Sequence, residues 1–201
     1  MHIGFDFDNT IVSYDALFHK IAKEQALVDD SISVNKLAVR DYLRATDRED
    51  LWTKMQGYVY GARMQEAQAY PNALEVIKKL KNAGHTLSII SHKTRHPYLG
   101  KPYDLHAAAR KWIEHYLCDQ GVALIAEEDI YFEITKEDKI ARIAKSNCDV
   151  FIDDLPEILL TLQFPTKIRR FLFDPDQHHV NLNLPTIKLV SSWAMFENLL
   201  T

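Results

Sequence analysis

The 201-residue chain predicts an α/β protein: a parallel sheet flanked by helices, with a small helical insertion after the first strand. Three observations predict this. Short apolar runs at 2–6, 86–91, 130–132, 149–153, 170–173 and 187–190 alternate with stretches of helical period, the order that builds parallel sheets. The short run at 86–91 carries Leu87, Ile89 and Ile90 and no charge, which suits a strand covered on both faces. Residues 14–69 break the alternation, being rich in helix formers and poor in β-branched runs.

The elements follow in order. Residues 2–6 are a strand, after which Asn9 and Thr10 suit a bend, because short polar side chains bond to their own backbone. Leu17, Ile21 and Ala22 recur at helical spacing, and Asp15 favours a helix start. Residues 31–35 read as a linker, and 47–68 as a second helical stretch carrying Leu51, Met55, Tyr58, Val59 and Ala62. Pro71 and Asn72 open a helix with Leu74, Ile77 and Leu80 on one face, and Gly84 stops it. After the strand at 86–91 comes a polar loop with Pro97, Gly100 and Pro102, then a helix over 104–119. Thr135, with Asp138 three residues on, resembles a capping box that opens a helix to about Lys145. Residues 155–162 and 193–200 read as the last helices. The division expected is a core of 1–13 and 70–201 with a cap of 14–69.

Composition limits the function. Hydrophobic residues at 47% and charged residues at 26% describe an ordinary globular protein, not a disordered one. A net charge of −4 argues against bulk affinity for a nucleic acid polymer. No apolar run approaches the roughly 20 residues that span a bilayer. The chain begins almost directly with a core strand, leaving no room for a secretory leader. Cys118 and Cys148 are far apart and form no Cys-x-x-Cys pair. A cytoplasmic protein that binds neither membrane nor nucleic acid is expected, with its oligomeric state open.

The chemistry gathers at strand ends, where open α/β sheets collect ligands. The first strand delivers Asp6 and Asp8, which can converge only if the chain coils just past Asp6. The second ends at Ser91, and a later one at Asp153 and Asp154; between these two strands lies a helix carrying Lys136 and Lys139. Paired acids of this kind suit a divalent cation and a phosphate.

The string Asp6-Phe7-Asp8-Asn9-Thr10, followed in order by a hydroxyl, a lysine and an acid pair, resembles the four motifs of the haloacid dehalogenase (HAD) superfamily. The resemblance spans residues 6 to 154 and implies a HAD-like Rossmannoid sheet, Mg²⁺ and a small phosphorylated substrate. It implies that Asp6 is the nucleophile and a metal ligand. Asp8 would be the proton donor and later the base, with its backbone carbonyl on the metal. Ser91 would hold the phosphoryl group, and a lysine would neutralise it. Lys139 has the spacing before Asp153 seen in relatives with an Asp-Asp fourth motif, whereas Lys136 lies nearer the helix start; both stay as candidates, Lys139 favoured. Asp154 would bind the metal with Asp153 in support, and Glu157 either joins them or stabilises a helix start. Asn9 is a candidate for substrate binding, and so are His92, Lys93 and Arg95, since cations beside a phosphate site suit an anion. Asp at position 8 favours phosphomonoester hydrolysis over dehalogenation or a long-lived phosphoenzyme. The resemblance also allows a 5′-nucleotidase acting on nucleoside monophosphates, a phosphotransferase or mutase, or a regulatory module of low activity.

Overall fold

Five alternating segments of sequence build two compact units in the computed structural model, which describes residues 1–200. The first unit comprises Met1–Val12, Ala69–Lys93 and Tyr116–Thr201, the last residue itself lying outside the described ones. Its centre is a six-stranded sheet, all neighbours parallel, in the order Ile187–Val190, Arg169–Phe173, Val150–Asp153, His2–Phe5, Thr86–His92 and Ile130–Glu133. This is the α/β sheet that the alternation of elements predicts.

Period-two alternation along these strands feeds two apolar layers. Leu172 and Phe151 point to one side, into a cluster with Ile143, Ile158, Leu159 and Phe164. Phe171 and Phe173 point to the other, where Phe5, Trp193 and Phe196 stack edge-on or tilted with centroids 5.0–6.4 Å apart. Gly4 is needed in the first strand because a Cβ there would sit 2.6 Å from the Phe151 ring.

The helices end where their caps say. Gly84, at φ +81°, follows the Ala73–Asn82 helix. Asn35 and Thr135 accept backbone N–H groups at the starts of Lys36–Ala45 and Lys136–Ser146. The helix expected over 155–162 is one turn, Pro156–Leu159. A hairpin absent from the sequence reading pairs Cys118–Asp119 with Val122–Ala123 through Gln120 and Gly121, both at positive φ.

The second unit comprises Ser13–Gln68 and Thr94–His115, so it takes in more chain than 14–69. Helices Asp15–Glu24, Lys36–Ala45 and Glu49–Tyr60 pack together around Phe18, Val39, Leu43, Trp52, Met55 and Val59. The Lys36–Ala45 helix is a separate element within the helix-rich region. The later segment joins them because Trp112, fully buried, donates its indole N–H to the Ala67 carbonyl at 2.9 Å. Pro97 and Tyr103 also lie against the Cα atoms of Gly57 and Gly61. Among the described residues, no helix is long and apolar enough to cross a membrane.

Candidate active site

The first strand stops at Phe5, and Asp6 still donates its backbone N–H to the Ile152 carbonyl at 2.9 Å. The chain then coils. Ile11 and Val12 both donate to the Phe7 carbonyl at 3.1 Å, Asn9 donates to Val12, and Asn9 takes the left-handed conformation at φ +58°. Asn is among the few residues that adopt this conformation readily. The coil brings Asp8 back beside the same sheet edge as Asp6. Trp193 fixes the loop from the sheet side by donating to the Thr10 carbonyl at 3.0 Å.

Asp6 is buried, and one of its oxygens, Oδ1, accepts from both Ser91 Oγ at 2.8 Å and Lys139 Nζ at 2.6 Å. Lys139 is completely buried and also lies 2.6 Å from Asp153 Oδ2. It shares the inward face of its helix with Ile143, four residues on. Lys136, one turn earlier, pairs at the surface with Glu157 at 3.0 Å. Of the two candidate lysines, Lys139 is therefore the one that meets the acids.

Strand alternation sorts the next segment. Ser91 and Lys93 point to the acids, while His92 points away and bonds through Nε2 to the Ile134 carbonyl at 3.0 Å. Lys93 is buried, and its ammonium donates to Asp8 Oδ2 at 2.5 Å. Arg95 belongs to the helical unit, where it pairs with Asp104 at 3.1 Å. The sheet edge thus assembles Asp6, Asp8, Ser91, Lys93, Lys139, Asp153 and Asp154, with Asn9 forming the turn. Lys136, Glu157 and His92 have other partners.

Asp6, Asp153 and Asp154 can each direct one carboxylate oxygen so that all three oxygens lie within 4.8 Å of one another. Burial pushes the Asp153 carboxyl far above the usual range, against the pull of the Lys139 ammonium, and the Asp6 charge pushes it further. For Lys139 burial acts the other way, but Asp153 and Asp6 outweigh it and hold the ammonium above its usual range. Asp153 Oδ1 accepts from the Leu155 N–H at 3.0 Å, whereas buried Oδ2 faces Lys139 without hydrogen-bond alignment. A crowded, oxygen-only donor set with an imperfectly satisfied buried oxygen fits a hard divalent cation.

Two residues have roles here that the sequence does not announce, Thr10 being expected only at the bend. Thr10, fully buried, directs its hydroxyl to Asp154 Oδ1 at 3.5 Å; its signal was its place four residues after Asp6. Asp174 is another buried acid at a strand end, just past Arg169–Phe173. Both its oxygens accept backbone N–H groups, from His178 and His179 at 2.8 Å, so it closes a turn.

No protein-family model matches the chain. A Bacillus cereus protein described as "Putative nucleotidase" is 23% identical over 201 residues, covering 96% of this chain and 95% of the relative. A relative of the same description from Oceanobacillus iheyensis is 22% identical over 203 residues, covering 98% and 97%. Among solved structures, a HAD family hydrolase of Deinococcus radiodurans with bound phosphate and sodium superposes with a TM-score of 0.60 at 16% identity. That match covers 99% of this chain and 94% of the other. With its parallel six-stranded sheet and acids at the strand ends, the chain has the haloacid dehalogenase fold.

Proposed function

We propose that this protein is a phosphatase that hydrolyses a small phosphomonoester through an aspartyl-phosphate on Asp6. The observation that carries the reading is the convergence of Ser91 and Lys139 on one oxygen of Asp6. That arrangement orients the carboxylate and leaves its second oxygen to attack phosphorus. As the new P–O bond forms, the ester P–O bond breaks, and Asp8 gives its proton to the departing alkoxide. Asp8 then takes a proton from water, which attacks phosphorus and releases Asp6. Lys139 and the Ser91 hydroxyl stabilise the charge that gathers on the phosphoryl oxygens.

A divalent cation, Mg²⁺ by the character of the donors, would be held by Asp6, Asp154 and the Asp8 backbone carbonyl, with Asp153 in support. It would supply charge neutralisation between the attacking carboxylate and the phosphate. The acid cluster supports this, as do the phosphate and sodium in the Deinococcus radiodurans structure.

A narrower reading, hydrolysis of nucleoside 5′-monophosphates, is favoured by the description of the two relatives as nucleotidases. The helical unit is proposed as the cap that selects the substrate. Two free cysteines support a reducing, cytosolic setting. The test is phosphate release from p-nitrophenyl phosphate and from a panel of nucleoside monophosphates and sugar phosphates, with Mg²⁺ and with chelator. Wild type should turn over with Mg²⁺ and Asp6→Asn should not; metal-dependent turnover in a folded Asp6→Asn variant removes Asp6 as nucleophile.

A further inference from the structure

Two pairs of residues tie the first strand to its neighbour at the same sequence offset. Ser91 meets Asp6 and Lys93 meets Asp8, each pair 85 residues apart. The strands His2–Phe5 and Thr86–His92 run parallel with Phe5 beside Ile89, an offset of 84, and beyond Phe5 the coiling chain shifts the side-chain pairing by one residue. The result is a site with two buried lysines, each serving a different acid. Lys139 meets Asp6, and Lys93 meets Asp8.

We propose that Lys93 is a positioning residue for Asp8, holding that side chain where its acid form hands a proton to the leaving group; this rests on the phosphatase reading above. The Lys93 side chain is only 3% exposed, against 20% for Asp8, so the anchor is the more fixed partner. Its ammonium lies 5.8 Å from the centroid of the Phe7 ring, and Phe7 is wedged edge-on against Phe132 at 5.7 Å. Its backbone N–H is held by the Glu133 carbonyl at 2.8 Å. A lysine tethered at both ends, on a floor of packed aromatic rings, restricts where Asp8 can point. Positioning of an acid matters because proton transfer needs hydrogen-bond reach to the leaving oxygen.

The leaving group provides the test. An alkoxide is a poor leaving group and needs a proton, whereas p-nitrophenolate departs without one. The value of kcat/KM reports steps up to ester cleavage, so the later hydrolysis by water does not enter it. In the full-length protein with Mg²⁺, Lys93→Met should lower kcat/KM for an alkyl phosphate about 100-fold or more, within the range of a lost general acid. For p-nitrophenyl phosphate the loss should be less than about 10-fold, and Asp8→Asn should discriminate in the same direction. Equal losses on both esters overturn the proposal, because they mean that Lys93 binds the phosphoryl group or merely supports the fold. If Lys93→Met does not fold, the same ratio is read in Lys93→Gln, where a ratio equal to that of wild type overturns it. Wild type inactive on both esters, with any divalent cation, is instead the failure of the phosphatase reading.

Discussion

Lys139 Nζ lies 2.6 Å from Asp6 Oδ1, and the two residues stand 133 positions apart in the chain. The pair is almost wholly buried, with 1% and 5% of the side chains exposed, and Asp153 is as close on the other side. An ammonium between two carboxylates allows like charges to share a dry site. Truncating it to Lys139→Ala should leave Asp6 and Asp153 facing each other and cost about 3–5 kcal/mol, as for other broken buried pairs. Lys136→Ala, which removes an exposed pair with Glu157, should cost at most about 1 kcal/mol. Urea denaturation of both variants, with phosphate release measured alongside, checks the contrast: Lys139→Ala should be inactive and Lys136→Ala active.

The crowding of acids at the sheet edge predicts stabilisation by cations. Mg²⁺ at about 100 times its Kd should add about 2.7 kcal/mol to the stability of the chelator-treated protein. Asp154→Asn should weaken that gain. Thermal melts across a Mg²⁺ titration, with calorimetry for the affinity, read the effect without reference to turnover. No rise in Tm in the wild-type protein would remove the cation site.

The helical unit carries a pH dependence of its own. Arg63, followed by Lys20, lowers the Glu66 carboxyl from 4.5 to about 2, against a small opposing effect of burial. Because the folded value lies below the unfolded one, this stabilisation is present above the ordinary carboxylate range. It is lost as pH falls from about 4.5 through about 2. Glu66→Gln should therefore be less stable than wild type at neutral pH, and the gap should close as pH falls through about 2. The side chain is 37% exposed, so the difference should be small and should shrink in salt.

Gly57 and Gly61 seat the segment after Arg95 on the Glu49–Tyr60 helix. A Cβ at Gly57 would meet Pro97 at 2.6 Å, and one at Gly61 would meet Tyr103 at 2.5 Å. Ala gains up to about 1 kcal/mol over Gly in helix propensity, but overpacking costs typically 1–3 kcal/mol. Gly57→Ala should therefore lower stability in chemical denaturation, and a rise would show that Pro97 yields easily.

Much of the core was legible because local rules and tertiary packing agree there. The buried strands read as apolar runs, the Thr135 cap marked the start of the lysine-bearing helix, and Gly84 marked a helix end. Asp6, Ser91 and Asp153 stood out because acids and hydroxyls at the ends of apolar strands have a predictable edge to occupy. Less legible was the helical region, where residues 14–69 showed helical composition without clear stops, so the Lys36–Ala45 helix was not separated. That residues 94–115 pack with this region depends on Trp112 finding the Ala67 carbonyl and on two bare glycines, neither of which has a periodic signature.

By itself, then, the sequence determined the order of elements, the parallel α/β class and the acids offered at the strand ends, since these follow from local period and from residue type. Only the tertiary structure decided which cation serves which acid. Lys136 and Lys139 are three residues apart with equal charge, and helix rotation against the sheet buries one and leaves the other in water. Lys93 looked like one more cation in a polar loop, until strand register and the coil at Asn9 set it 2.5 Å from Asp8. Ion pairs between distant segments leave no trace in local sequence, because their distances are fixed by how the strands align and not by what either segment contains.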